Sequence, residues 1–188
     1  MSPRAGLTTD IVVETAMKIV DEEGIGHLTL LRIAEELGVR SPSLYEHVEG
    51  IEGLIRRLRL NGLILMGRQF QRAVMGVSGD DAIRKLADTF RLFAKKHPAV
   101  YSLTVESDVA DSEEIRAAAG EILDAIYAVL RTYGLSEDKL VHATRYMRSV
   151  IHGFVSLEMS GGFGLKVSLD ESFDLIKEIV VSNMKSWY

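Results

Sequence analysis

Apolar residues recur at helical spacing along almost the whole chain, and glycines or prolines interrupt them at intervals. From Thr9 to Glu23, Ile11, Val12, Thr15, Ala16, Ile19 and Val20 fall on one side of a helix that Gly24 ends. A second run follows, LTLLRIAEELGVRSPSLYEHV from Leu28 to Val48. Thr29 is placed to cap a helix whose inner face carries Leu30, Ile33, Ala34 and Leu37, and Gly38 is placed to stop it. Ser41 and Pro42 restart the chain as cap and first helical residue. The helix that follows is short, about two turns, with Ser43, Tyr45, Glu46 and His47 as a polar leading end. An apolar helix, a tight turn and a short polar helix form the pattern of a helix-turn-helix, which presents side chains to the DNA major groove.

Six longer or terminal segments complete a set of nine expected helices. The fourth runs from Ile51 to about Met75, and the fifth from Asp81 to His97, where Pro98 disfavours continuation. A short sixth covers Ala99 to Val105. The seventh opens on Asp111-Ser112-Glu113-Glu114, a capping-box pattern, and reaches Tyr133 before Gly134. The eighth extends from Ser136 to Ser160, and the ninth opens on Ser168-Leu169-Asp170-Glu171 and runs to the end. With no strand-like alternation, the fold class is all-α, three short helices followed by a larger helical part.

The eighth helix is more apolar than a one-sided helix requires. At ~100° per residue, Ala143, Tyr146, Val150, Phe154, Leu157 and their neighbours cover an arc of roughly 200°, against the ~100° stripe of a surface helix. Its other face carries Ser149, Gly153, Ser156 and Ser160, which allow close approach. The ninth helix adds Phe173, Leu175, Ile176, Ile179, Val180, Met184 and Trp187. Paired with their copies, these two helices would make the four-helix bundle of a symmetric homodimer. The alternative is that both are buried within one chain. Arg148 and Glu158 fall on the apolar arc and require partners, which the dimer would supply.

The composition narrows the classes. The 188 residues are 47% hydrophobic and 26% charged, as in a soluble globular protein. No cysteine is present, which removes disulfides and thiolate metal sites. No signal peptide is visible at the N-terminus, and the most apolar stretch, Leu58 to Met66, is cut by Arg59 and Asn61. A cytoplasmic protein with no membrane partner is expected. Catalytic patterns are missing. Ser149 and His152 lack an orienting carboxylate, His142 and His152 lack metal-ligand spacing, and Gly161-Gly162-Phe163-Gly164 lacks a phosphate-loop lysine. Neither an enzyme nor a cofactor-dependent protein is expected. The net charge is −5, and through Leu60 seven basic residues face ten acidic ones, a net −3. DNA-binding modules usually carry a basic excess.

The run from Thr9 to Ile55 resembles the helix-turn-helix head of the TetR family of transcriptional regulators. The likeness lies in Glu23-Gly24, Leu28-Thr29, Ile33-Ala34, Leu37-Gly38-Val39, Leu44-Tyr45 and His47-Val48. His97-Pro98-Ala99-Val100-Tyr101, Ile151-His152-Gly153-Phe154 and Gly161-Gly162-Phe163 are similar to one of its C-terminal domains. The resemblance implies a DNA-binding domain over residues 1–50 and a ligand-binding and dimerisation domain over 51–188. It implies a double-stranded operator as partner, with Ser41, Pro42, Ser43, Tyr45 and His47 carried into the groove. Tyr45 and the Thr29 end of the preceding helix would hold phosphates, with Arg40 as the best-placed cation. A small-molecule effector would sit among helices four to eight, lined by Phe70, Phe90, Phe93, Tyr101, Tyr127, Tyr146 and Met147, with His97, His142 or His152 as polar anchor. Binding there would release a repressor from its operator. Leu31, Glu49 and Ile51 depart from the basic residues usual in relatives, so Arg32, Arg56 and Arg57 are the substitutes expected to meet phosphates. The other reading of those departures is a dimeric small-molecule or protein binder with weakened DNA binding.

Overall fold

The computed structural model describes residues 6–105 and 112–186. Eight α-helices follow in order: α1 (Thr9–Glu23), α2 (Leu30–Leu37), α3 (Gly50–Val74), α4 (Gly79–Lys96), α5 (Pro98–Val105), α6 (Glu113–Leu130), α7 (Glu137–Met159) and α8 (Leu169–Met184). The third of the nine expected helices is Ser41–Glu46, which winds as a 3-10 helix rather than an α-helix. Two further 3-10 turns, Ile25–His27 and Arg131–Tyr133, extend the ends of neighbouring helices, and no strand occurs among the described residues. Trp187 and Asp111 lie outside the described residues.

The chain divides into two compact units. The first contains the described residues up to Gly62 and those between His97 and Ile115. Its first helix is capped by Thr8, whose hydroxyl accepts from the Ile11 N–H at 3.3 Å, and Val12, Val13, Ala16, Ile19 and Val20 are buried. In α2 the Thr29 hydroxyl accepts from the Arg32 N–H at 3.0 Å. Gly38 then takes a left-handed φ of 65°, a turn that a side chain would strain. Helix α5 packs on α1. His97 Nδ1 lies 2.7 Å from Asp21 Oδ2, and Arg59 Nε donates to the Leu103 carbonyl at 3.2 Å. Helix α3 meets α5 at Gly62, where a Cβ would lie 2.5 Å from Val100 Cγ1 and 2.9 Å from Thr104 Cγ2. Only glycine lets these two helices approach this far.

The second unit contains Leu63–Lys96 and the chain from Arg116 onward. Here α4 packs on α7 and α8, and α7 on α8. The buried stripe of α7 is Leu140, Ala143, Met147, Ile151, Phe154 and Val155. Leu157 lies outside it, 49% exposed. Glu158 finds its partner within the chain, a correction to the expected pairing across a dimer. Arg91 of α4 donates from Nε and Nη2 to its two oxygens at 2.7 and 2.6 Å, and Lys95 adds a contact at 3.1 Å. The same guanidinium pairs with Asp170 and stands 4.8 Å from the Phe173 ring centroid. Arg91 holds the Glu158 carboxyl below the usual glutamate range, against the opposing effect of burial. At the other end of α4, Asp80 accepts from the Tyr133 hydroxyl and pairs with Lys185, each contact 2.6–2.7 Å long.

Candidate functional site

The head of the first unit is built around one buried side chain. Leu44 is fully enclosed and anchors the 3-10 helix, so that Pro42, Ser43, Tyr45 and Glu46 are left at the surface. Tyr45 is 66% exposed, a high value for an aromatic side chain that its neighbours could have covered. Ser41 and His47, at the two ends of the segment, are half-buried. The His47 carbonyl accepts from the Thr9 hydroxyl at 3.3 Å and ties the segment back to α1. Thr29 is exposed at the start of α2. Arg40, in the turn, is exposed and makes no ion pair among the described residues. The structure thus places all seven residues expected to meet DNA on or beside one short helix and the cap of its predecessor.

The substitute cations are differently disposed. Arg32 donates from Nε and Nη2 to Glu23, the shortest contact 2.7 Å, and from Nη1 to Glu36 at 3.0 Å. Lys18 reaches the other oxygen of Glu36 at 3.2 Å. These bonds from Arg32 hold both carboxyls below their usual range, with Lys18 contributing at Glu36. Arg56 is paired with Glu49 at 3.3 Å, while Arg57 is exposed and makes no ion pair among the described residues. A cavity of about 200 Å³ opens nearby, lined by Glu49, Gly53, Arg56, Arg57, Leu60, Ser112, Glu114 and Ile115. None of the aromatic residues expected around an effector borders it.

Those aromatics are spread over both units. Tyr101 is buried in the first. In the second, Phe70 and Phe90 meet with ring centroids 6.4 Å apart at a tilt of 53°. Phe93 is fully buried, and the half-buried Tyr127 has the Arg131 guanidinium 5.8 Å from its ring centroid. The Tyr146 hydroxyl accepts from Asn183 Nδ2 at 2.6 Å. Of the three histidines, His97 belongs to the first unit and His142 is exposed, whereas His152 is half-buried. Burial, and then the charge of Arg148, pushes the His152 imidazole below its usual range. Sequence reasoning missed Thr144, a buried α7 residue whose hydroxyl has no hydrogen-bond partner among the described residues. No local signal marks it, because a helical threonine ordinarily bonds back to a carbonyl in the preceding turn.

Residues 83–179 match the family model described as the tetracyclin repressor-like C-terminal domain. The chain belongs to the TetR family. This TetR-family regulator is 35% identical over 158 residues to an uncharacterised HTH-type transcriptional regulator of Mycobacterium tuberculosis, covering 84% of this chain and 72% of the relative. It is 32% identical over 173 residues to the uncharacterised HTH-type regulator YobS of Bacillus subtilis, covering 92% and 90%. Among solved structures it is similar to the TetR-family protein ActR of Streptomyces coelicolor in complex with (S)-DNPA. That likeness has a TM-score of 0.69 and 17% identity, covering 97% of this chain and 98% of the other. The family is one of transcriptional regulators rather than enzymes. Among the described residues, no helix is long and apolar enough to cross a membrane.

Proposed function

We propose that this TetR-family regulator is a ligand-responsive repressor that binds a near-palindromic double-stranded operator as a homodimer in the cytoplasm. The observation that carries the reading is the presentation of Ser43 and Tyr45 on either side of the enclosed Leu44, directly after the exposed Arg40. Ser41, Pro42, Ser43, Tyr45 and His47 meet base edges or backbone in the groove, and Thr29, Arg40 and Tyr45 hold phosphates. Two heads reading two half-sites require two copies. Leu175 and Ile179, one turn apart on α8, are 67% and 56% exposed, and Leu157 of α7 is exposed as well. Together with the exposed Ser149, Ser156 and Ser160 they support a bundle of α7 and α8 with their copies.

The effector enters the second unit among Phe70, Phe90, Phe93, Tyr127, Tyr146 and His152. Mostly apolar walls with few polar groups suit an apolar or aromatic small molecule. Among the described residues the buried Thr144 hydroxyl of α7 has no hydrogen-bond partner, which favours a polar contact from an effector, because leaving such a group unsatisfied costs about 1–3 kcal/mol. Helix α3 is continuous through Gly62 and provides a covalent route from effector to head. An effector acts by preferring the form that cannot bind DNA, and only by as much as that preference. The residues 1–50 then serve DNA and 51–188 serve ligand and dimer.

The acidic head favours a second reading, a dimeric small-molecule or protein binder that no longer reads DNA well. Selection from random DNA by the purified dimer, at two salt concentrations, separates the two. A repressor enriches a near-palindrome and loses it steeply with salt. No enrichment by a folded dimer at low salt sinks the repressor reading and leaves the binder.

A further inference from the structure

The charges of the head fall into two groups with different freedom. Lys18, Arg32, Glu23 and Glu36 are joined by hydrogen bonds of 2.7–3.3 Å and sum to no net charge. Arg32 is the centre of the cluster, with donors committed to two carboxylates on two helices, Glu23 of α1 and Glu36 of α2. Arg56 and Glu49 form a second neutral pair. Arg40 and Arg57 stand apart from both, exposed and without an ion pair among the described residues, and Arg40 lies at the entrance to the 3-10 helix, where its carbonyl accepts from the Ser43 N–H at 2.9 Å.

From this arrangement we propose that Glu36 and Glu23 mask Arg32 and Lys18, so that these two cations make no phosphate contact and the exposed Arg40 and Arg57 carry the salt-dependent part of operator binding. The inference rests on the operator-binding reading above and concerns which residues set the strength of that binding. Affinity for DNA depends on salt because each cation that neutralises a phosphate releases a counterion, with a slope of about −0.9 per contact. A guanidinium already shared by two carboxylates must give up those bonds before it can neutralise a phosphate. A lone exposed pair is weak, but a cation held in a fork by two carboxylates is a network, and networks persist where lone pairs do not. The low basic content of the head then translates into a shallow slope, and specificity falls to the uncharged Ser43, Tyr45 and Thr29. Glu36, which serves both cations, acts on the DNA only through them and is a positioning residue.

The test is a salt titration of affinity for the near-palindrome that the wild-type dimer enriches from random DNA. Variants are first matched to the wild type by circular dichroism and thermal melting. Arg40→Gln is expected to flatten the slope of log affinity against log salt by about one per protomer. Arg32→Gln and Lys18→Gln are expected to change the slope by clearly less than Arg40→Gln does. Glu36→Gln, which removes an exposed carboxylate and leaves the core untouched, is expected to steepen the slope and tighten binding at low salt. A slope flattened by Arg32→Gln as much as by Arg40→Gln overturns the proposal, as does a Glu36→Gln protein that binds no more tightly than wild type. Failure of the operator reading itself looks different, since neither the wild type nor Glu36→Gln would then enrich any DNA.

Discussion

Gly62 is the residue at which the packing leaves least room. An alanine there would drive its methyl into Val100 and Thr104 of the facing helix, at separations far below van der Waals contact. Gly62→Ala is therefore expected to destabilise the protein by about 1–3 kcal/mol, the range for overpacked interiors. Denaturant melts against Gly67→Ala provide the comparison. At Gly67 the added methyl meets Ile122 Cγ1 at an ordinary 3.5 Å, and the gain in helix propensity makes that change neutral or stabilising by up to about 1 kcal/mol. Equal losses at both glycines would refute the close-approach argument.

Glu158 supplies the pH dependence at the same scale. Its side chain is 8% exposed and its carboxyl is held low by Arg91. The carboxylate therefore ionises more readily in the folded chain than in the unfolded one. Its stabilising contribution is complete above the ordinary value near 4.5 and is lost as pH falls through the lower native value. Glu158→Gln is expected to cost about 2–4 kcal/mol at neutral pH, because Arg91 keeps Asp170 but loses its bidentate partner. The gap between variant and wild type should narrow on acidification. Urea midpoints taken from pH 7 down to about 3 check this, and a gap that stays constant would assign the loss to packing instead.

At the scale of elements, the recognition segment depends on one anchor. Leu44→Ala empties a fully enclosed position and is expected to cost about 2–5 kcal/mol. Operator affinity should fall more than the loss of a single contact explains, since Tyr45 and Ser43 are aimed by that anchor. Binding assays below the melting point of the variant separate misaiming from unfolding. This segment also marks where sequence reading stopped. The ends of α1 and α2 were legible, because Gly24 and Gly38 are the residues that turn the backbone to positive φ. The winding of Ser41–Glu46 was not, since six residues are too few to tell a period of 3.0 from one of about 3.6. The demand of Glu158 for a partner could be read from its place on an apolar arc. Arg91 as that partner could not, because 67 residues separate them and no local periodicity encodes such a pairing. The same holds for Arg32, whose charge is visible in the sequence while its engagement by Glu23 and Glu36 is a fact of folding.

For the whole molecule, dimerisation is the property that the exposed face of α8 is expected to control. Leu175→Asp combined with Ile179→Asp places charge on two exposed positions and leaves the buried Phe173, Val180 and Val181 in place. The double variant should remain folded, run as a monomer in light scattering, and bind a single half-site with at most weak preference for the palindrome. A double variant that stays dimeric would place the interface elsewhere.

The neutral cluster around Arg32 also has an evolutionary consequence. Glu36 is exposed and Glu23 half-buried, and neither belongs to the hydrophobic core, so their replacement leaves that core in place. A single base change in a glutamate codon yields lysine or glutamine. Descendants of such a gene can therefore adjust how tightly the head grips its target in small mutational steps, without the loss of foldedness that usually purges change in a small domain. Control regions and regulator can drift together along this axis, and closely related strains become the place to look for different settings of one switch.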